Sequence, residues 1–121
     1  MPQTLQRLPA RSLAALLLAA TGAWVLLAAW LWRTPPIDNV EQLVWRSAVE
    51  WGYYKHPPLP TWLLAAASPA WPATPLLTYL LAAACMVVTL WLFHALLRPL
   101  LGRGDALLAV LAALCLTYAT D

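Results

Sequence analysis

The feature that most constrains this chain is an apolar run that carries no formal charge between Arg11 and Arg33. Its central part is rich in Leu, Ala and Trp, and about 20 such residues allow a helix to cross the roughly 30 Å hydrocarbon core of a bilayer. A cleavable signal peptide has a shorter apolar region and ends in a small-x-small motif, whereas this run ends in Ala-Trp-Leu-Trp-Arg. The sequence therefore predicts an uncleaved membrane-spanning helix over residues 13–32.

The composition supports the same class of protein. Hydrophobic residues make up 63% of the chain and charged residues 10%, whereas a soluble domain has about 25% charged residues. Disordered chains are polar, so disorder is excluded as well. The net charge is +2, and no basic stripe is present, so we expect no nucleic-acid partner. We predict an all-α integral membrane protein.

A second charge-free stretch, between His56 and Arg98, is too long for one span and is interrupted by prolines. Proline removes a helix hydrogen-bond donor and clashes with the preceding turn, so the proline clusters mark boundaries. We predict a short interfacial piece over 61–67, a second span over 74–97 and a tight turn from Arg98 to Asp105. The last apolar run, 106–120, is marginal in length for a crossing. It predicts a partial third span, and we expect the chain to be the amino-terminal piece of a larger protein.

The placement of basic residues near the span ends predicts the orientation. Four basic residues lie on the side of the amino terminus and three lie on the side of the loop 33–73. Six of the eight tryptophans lie near the membrane boundary on the loop side. This places the amino terminus in the cytoplasm and the loop 33–73 outside. The predicted cytoplasmic side holds Arg7, Arg11, Arg98 and Arg103, and the predicted outer side holds Arg33, Arg46 and Lys55.

The cysteines carry no recognisable chemistry. Cys85 and Cys115 both lie inside apolar runs without metal-ligand spacing, so we interpret them as small core residues, with a disulfide as the less favoured alternative. His94 is interpreted as structural. Because the chain contains no His, Asp or Cys group with the spacing of a metal site, we expect no metal and no cofactor.

The outer loop carries the candidate chemistry. Asp38 follows two prolines and precedes Glu41 by the spacing of a capping box, which predicts a helix from Asp38, its N-cap, toward Trp51. Positions 38, 41, 42, 45 and 49 would share one face. The simpler interpretation is a surface helix whose acids complement the helix dipole. The functional one is a pair of carboxylates beside lipid head groups, followed by aromatic side chains suited to sugar rings and by Lys55 and His56, suited to phosphate.

The motif of this loop resembles a known family. The chain reads Asp38…Glu41-Gln42…Trp45 and then Trp51-Gly52-Tyr53-Tyr54-x-His56-Pro57-Pro58-Leu59…Trp62-Leu63. This resembles the first outer loop of bacterial polyprenyl-phosphate-dependent membrane glycosyltransferases, relatives of the dolichyl-phosphate-mannose protein mannosyltransferases and of the aminoarabinose transferases that modify lipid A. The resemblance implies a fragment of the C-type glycosyltransferase fold, with interfacial helices in its first outer loop, in the bacterial cytoplasmic (inner) membrane.

The resemblance also implies roles for individual residues. Asp38 matches the catalytic aspartate that takes a proton from the acceptor hydroxyl, and Glu41 would support it. Asn39 stands where the family usually has Glu. The partners would be a polyprenyl-phosphate-linked sugar donor and membrane lipids. The alternative function is a small non-catalytic membrane protein or subunit that binds lipid. The implied substrate-binding residues are Gln42, Trp45, Tyr53, Tyr54, Lys55 and His56.

Overall fold

The computed structural model describes residues 10–31 and 34–119. Within these ranges the chain forms helices and no β-strand, apart from one isolated bridge between two loop residues. The all-α prediction is therefore confirmed for the described residues. The elements in chain order are α1 (Ala10–Leu31), α2 (Ile37–Trp45), α3 (Pro58–Ala67) and α4 (Pro75–Ala119).

Two helices within the described ranges are long and apolar enough to cross a membrane: Ser12–Leu31 in α1 and Pro75–Leu116 in α4. They begin where the sequence predicted its first two spans. The end positions of two predicted spans, Trp32 and residue 120, lie outside the described residues, as do Arg7 and Arg33.

Helix α4 is interrupted at one residue. Gly102 has φ 80° and ψ 169°, whereas the residues on both sides are helical and Pro99 lies inside the helix. A break within the predicted range from Arg98 to Asp105 is therefore present, but it is narrower than the predicted turn, because the departure from helical geometry is confined to one glycine. Only glycine adopts this backbone conformation readily, since it has no Cβ to clash. The separate third span stays a prediction.

The chain divides into two compact units, and we call residues 1–22 with 85–121 the terminal unit. Its core consists of leucines of α1 and residues of α4 from both sides of Gly102. Leu90 and Leu107 belong to this one cluster, although in an unbroken helix they would lie about 25 Å apart. The bend at Gly102 therefore brings the flanking segments of α4 toward each other. The buried members are Leu13, Leu17, Leu90, Leu107 and Val110.

Residues 23–84 form the second unit, which we call the loop unit. Val25 and Ala28, one turn apart on α1, pack with Tyr79 of α4. The Trp24 ring meets the Tyr79 ring edge to face, with centroids 6.3 Å apart, an arrangement that aromatic rings favour. The short helices α2 and α3 pack against each other in this unit, and they position the candidate site.

The expectation for the two cysteines has a different outcome. Cys85 and Cys115 are free and exposed, so the prediction that they are core residues is wrong. Both lie on α4, whose leucines are exposed over much of its length, so an apolar run did not imply a buried position. His94 lines a surface cavity of about 500 Å³ in the terminal unit, together with Trp91 and Arg98.

Candidate functional site

Helix α2 carries the two carboxylates of the site. The carbonyl of Pro36 accepts hydrogen bonds from the backbone N–H groups of Asn39 (3.0 Å) and Val40 (3.3 Å), so the helix begins at Ile37. Asp38 therefore lies in the first turn and makes no capping hydrogen bond, and the prediction that it is the N-cap is wrong. Its spacing of three residues from Glu41 still places both carboxylates on one side of the helix.

The helix is also shorter than predicted. It ends at Trp45, with Arg46 as its C-cap, so Val49 does not extend the polar face and Trp51 lies in irregular chain. Gln42 remains on the face of Asp38 and Trp45, half-buried. Arg46 has a buried Nε atom that finds no hydrogen-bond partner among the described residues.

A tight turn from Tyr53 to His56 supplies the basic side chains. The backbone N–H of Tyr53 donates to the carbonyl of His56 at 3.4 Å, and the N–H of His56 donates to the carbonyl of Tyr53 at 3.3 Å. Lys55 has φ 61°, a left-handed conformation that is uncommon for residues other than glycine or asparagine. Pro57 is the N-cap of α3, and Pro58 opens that helix, so the prolines end the turn.

Aromatic contacts join this turn to the end of α2. The Trp45 and Tyr53 rings stack with centroids 5.2 Å apart, and the His56 ring lies 5.6 Å from that of Trp45. The Tyr53 hydroxyl donates to the carbonyl of Ala48 (2.7 Å) and accepts from the N–H of Glu50 (3.1 Å). Trp45 and Tyr53 thus position the turn, and one face of each ring is covered by the other.

The turn and the helix bring four ionisable side chains together, which we call the charge cluster: Asp38, Glu41, Lys55 and His56. Lys55 Nζ lies 3.3 Å from Glu41 Oε2 and 3.7 Å from Asp38 Oδ1. His56 Nε2 lies 3.3 Å from the same two oxygens. The cluster is a pair of carboxylates facing a pair of bases, within reach of solvent because Asp38 and Lys55 are about half exposed.

Two atoms of the cluster are buried without a hydrogen bond. Glu41 Oε2 and His56 Nε2 are closed off from solvent, and within the described part of the chain neither forms a hydrogen bond. The two atoms lie 3.3 Å apart, but they are not aligned for a hydrogen bond between them. Both atoms have only the ion-pair contacts of the cluster, and each can still accept a further partner.

The remaining predicted site residue and its neighbours are more open. Tyr54 occupies the corner of the turn and is 85% exposed. Trp51 is 90% exposed and meets the edge of Trp62, whose Nε1 donates to the carbonyl of Glu50 at 2.8 Å. Tyr54 and Trp51 thus contribute exposed aromatic faces to this loop.

Asn39 has a structural partner that the sequence did not indicate. Its Nδ2 donates to the hydroxyl of Thr78, which in turn donates to the carbonyl of Pro75 at 2.7 Å. Thr78 is buried near the start of α4. This chain of hydrogen bonds ties α2 to α4, and no local pattern joins residues so distant in sequence.

The chain matches no family model, no curated protein and no solved structure. The resemblance to membrane glycosyltransferases therefore stays a prediction, and any function proposed for the chain rests on the geometry of the charge cluster.

Proposed function

We propose that this chain is part of a membrane glycosyltransferase that moves a sugar from a polyprenyl-phosphate-linked donor to a lipid, glycan or protein acceptor. The observation that carries the proposal is the charge cluster, in which two carboxylates and two basic side chains meet at distances of 3.3–3.7 Å. Sugar transfer from a lipid phosphate needs a base near the acceptor hydroxyl and cations near the leaving phosphate.

The proposal places α1 and α4 across the bacterial cytoplasmic membrane, with the amino terminus inside. In α4 only 6% of the most apolar window is buried, and in α1 28%, whereas the core helix of a soluble protein would be mostly buried. Exposed leucines on both helices, such as Leu26 and Leu96, form apolar surface that lipid would cover. Helices α2 and α3 are too short to span and suit the interface, where the donor's phosphate lies.

In the proposed reaction, the acceptor oxygen attacks the anomeric carbon of the donor sugar. Asp38 takes the hydroxyl proton as the new carbon–oxygen bond forms, and the bond to the phosphate oxygen breaks with its electron pair on the phosphate. Asp38 suits this role because its carboxylate is about half exposed and so can meet an acceptor. Glu41, which is more buried, supports the cluster by holding Lys55 and His56 in place.

Lys55 and His56 are proposed to meet the leaving phosphate. An ammonium group has three donors, so Lys55 can contact a phosphate while it remains beside a carboxylate. The Trp45 and Tyr53 rings stack on each other, so one face of each ring is not open to a sugar. We assign these two rings the role of holding the turn in place. Tyr54, with its exposed ring, is the better platform for a sugar, and Gln42 can contribute a hydrogen bond from the same side as Asp38.

The test is sugar transfer in membranes that contain the complete reading frame in which this sequence lies. Asp38→Asn removes the charge and keeps the shape, so transfer should fall by about 10²–10⁴-fold, the usual contribution of a general base. Glu50→Gln is the matched control, because Glu50 is an exposed acid of the same loop, and it should transfer normally. Near-normal transfer by Asp38→Asn at normal abundance would reject the proposal that Asp38 is the base.

The alternative, a non-catalytic lipid-binding protein, assigns the charge cluster a purely structural role. Under that alternative, neither the parent protein nor any variant transfers sugar. Asp38→Asn should change the stability little under either function, because an exposed ion pair contributes about 0–1 kcal/mol. Loss of transfer by Asp38→Asn at an unchanged unfolding temperature therefore supports the catalytic function, and absence of transfer by the parent protein supports the alternative.

A further inference from the structure

The side chains of Asp38, Glu41 and His56 each bring one possible ligand atom into the same small region. These three atoms all lie within 4.8 Å of one another. Two of them, Glu41 Oε2 and His56 Nε2, are buried and make no hydrogen bond within the described ranges. From this convergence we infer that Asp38, Glu41 and His56 bind a divalent transition-metal ion of the Zn²⁺ type.

The two distances from His56 to the carboxylates fit a tetrahedral ion. Zn²⁺ is bound at about 2.0–2.2 Å by nitrogen and carboxylate oxygen, so two ligand atoms of one tetrahedron lie about 3.3–3.6 Å apart. His56 Nε2 lies 3.3 Å from Glu41 Oε2 and 3.3 Å from Asp38 Oδ1. An ordinary hydrogen bond between these groups would be shorter and aligned, and neither carboxylate oxygen forms one with His56 Nε2.

The choice of ligands selects the class of metal. Mg²⁺ and Ca²⁺ prefer sites made of oxygen atoms, whereas an imidazole with carboxylates suits Zn²⁺, Co²⁺ and related ions. Three protein ligands leave the fourth position of a tetrahedron open for water or a substrate oxygen, as in catalytic zinc sites. The site is therefore suited to bind an oxygen ligand, in addition to any structural role.

The ammonium group of Lys55 competes with the metal ion for the carboxylates of Asp38 and Glu41. Its ammonium group lies 3.3 Å from Glu41 Oε2 and 3.7 Å from Asp38 Oδ1, so it neutralises the same oxygens that would bind the metal. Its side chain is 44% exposed and can turn to solvent. A divalent ion at the cluster repels the ammonium, so metal binding displaces Lys55 and frees it to contact an anion.

This competition gives a test that misfolding cannot imitate. The full chain without a polyhistidine tag is purified in detergent, stripped of metal by a chelator and titrated with Co²⁺ and then Zn²⁺. Calorimetry gives the affinity, and the strong visible bands of four-coordinate Co²⁺ report the geometry. We expect one ion per chain, with Zn²⁺ displacing Co²⁺ and with no binding of Mg²⁺ at the same concentration.

The variants identify the ligands. His56→Ala and Glu41→Gln should each weaken Zn²⁺ binding by about a hundredfold or more, since even outer partners of a metal ligand contribute 10–100-fold. Lys55→Asn should strengthen binding by about tenfold, because it removes a positive charge from the site. His94→Ala and Glu50→Gln are the controls, and both should bind Zn²⁺ as the parent protein does.

Three results would overturn the metal site: no stoichiometric binding by the parent protein, unchanged binding by His56→Ala, or weaker binding by Lys55→Asn. Metal binding and sugar transfer are measured separately, because an Asp38 carboxylate that binds a metal ion cannot at the same time take the acceptor's proton. Zn²⁺ binding without transfer would retain this site and reject the proposed function, and transfer without Zn²⁺ binding would do the reverse.

Discussion

Lys55 combines an unusual backbone conformation with a charge in the candidate site. A non-glycine residue at φ 61° carries strain of about 1–3 kcal/mol, and it persists because the Tyr53–His56 bridge and the ion pairs hold the turn. Such strain concentrates at functional sites. It also means that substitutions at this position change the backbone and the charge together, so the choice of replacement decides what an experiment measures.

At the residue scale, we expect Lys55→Asn to raise the apparent KM for the lipid-linked donor with little change in kcat. Asparagine tolerates the left-handed conformation, so this variant removes the charge that binds the donor phosphate and leaves the turn in place. Initial transfer rates over a range of donor concentrations measure both constants. If kcat alone falls, Lys55 acts in the transition state and not in donor binding. Lys55→Ala is the comparison: alanine keeps the backbone strain that Lys55 already carries, so this variant should be less stable than Lys55→Asn by about 1 kcal/mol.

A substitution at Gly102 changes the stability of the protein in a direction that depends on whether α4 is bent there. In a straight helix, replacing glycine by alanine stabilises by about 0.5–1 kcal/mol. At φ 80° and ψ 169° alanine is strained, although no atom stands within 4 Å of the added Cβ. We therefore expect Gly102→Ala to destabilise the protein by about 1–3 kcal/mol. Thermal unfolding in detergent measures the effect, and a stabilised variant would show that α4 is unbroken. Gly22→Ala in α1 is the control, with open space around it and no positive φ.

At the element scale, the hydrogen bond from Asn39 to Thr78 joins α2 to α4. The hydroxyl proton of Thr78 is directed to the carbonyl of Pro75, and its oxygen accepts from Asn39. A carboxylate at position 39 would place two acceptors against each other. This explains in physical terms why the acid that the family resemblance expects at this position would not fit here.

We expect Asn39→Asp to lower the free energy of unfolding by about 1–3 kcal/mol, because it leaves a desolvated group without a donor. Thermal unfolding of the purified protein in detergent measures the change. In a Thr78→Val background the same substitution should cost less, since the partner is already absent. Equal costs in both backgrounds would contradict a bond between the two side chains.

At the scale of the whole molecule, the orientation in the membrane is the property to test. The distribution of Arg and Lys predicts that the segment with α2 and α3 faces outward and that residues near 100 face the cytoplasm. Ser47→Cys and Leu100→Cys place single thiols at exposed positions on the two predicted sides. Cys85 and Cys115 are replaced by Ala first, because both thiols are exposed.

An impermeant thiol reagent should label Ser47→Cys in intact cells and Leu100→Cys only after the membrane is permeabilised. The parent protein without cysteine is the control and should remain unlabelled. Labelling of Leu100→Cys, but not of Ser47→Cys, in intact cells would reverse the orientation and place the charge cluster in the cytoplasm.

The sequence alone determined the helical class and the positions of the apolar helices. Both follow from local properties: the length of a run without charge, and prolines that cannot continue a helix. The beginning of α2 was predicted to within two residues, because the prolines before it end the extended chain there. The sequence also predicted that Asp38 and Glu41 lie on one side of a helix, since helical periodicity is a local property.

Only the tertiary structure decided which groups meet. The proposed metal site joins Asp38 and Glu41 to His56 across a segment of loop, so no spacing in the sequence could reveal it. The conformation of Lys55 depends on the bridge that closes its turn and on the stacking of Trp45 with Tyr53. The bend at Gly102 depends on packing of α4 against itself and α1. Periodicity and hydropathy describe each segment in isolation. These features arise instead from contacts between segments, and such contacts form only when the chain is folded.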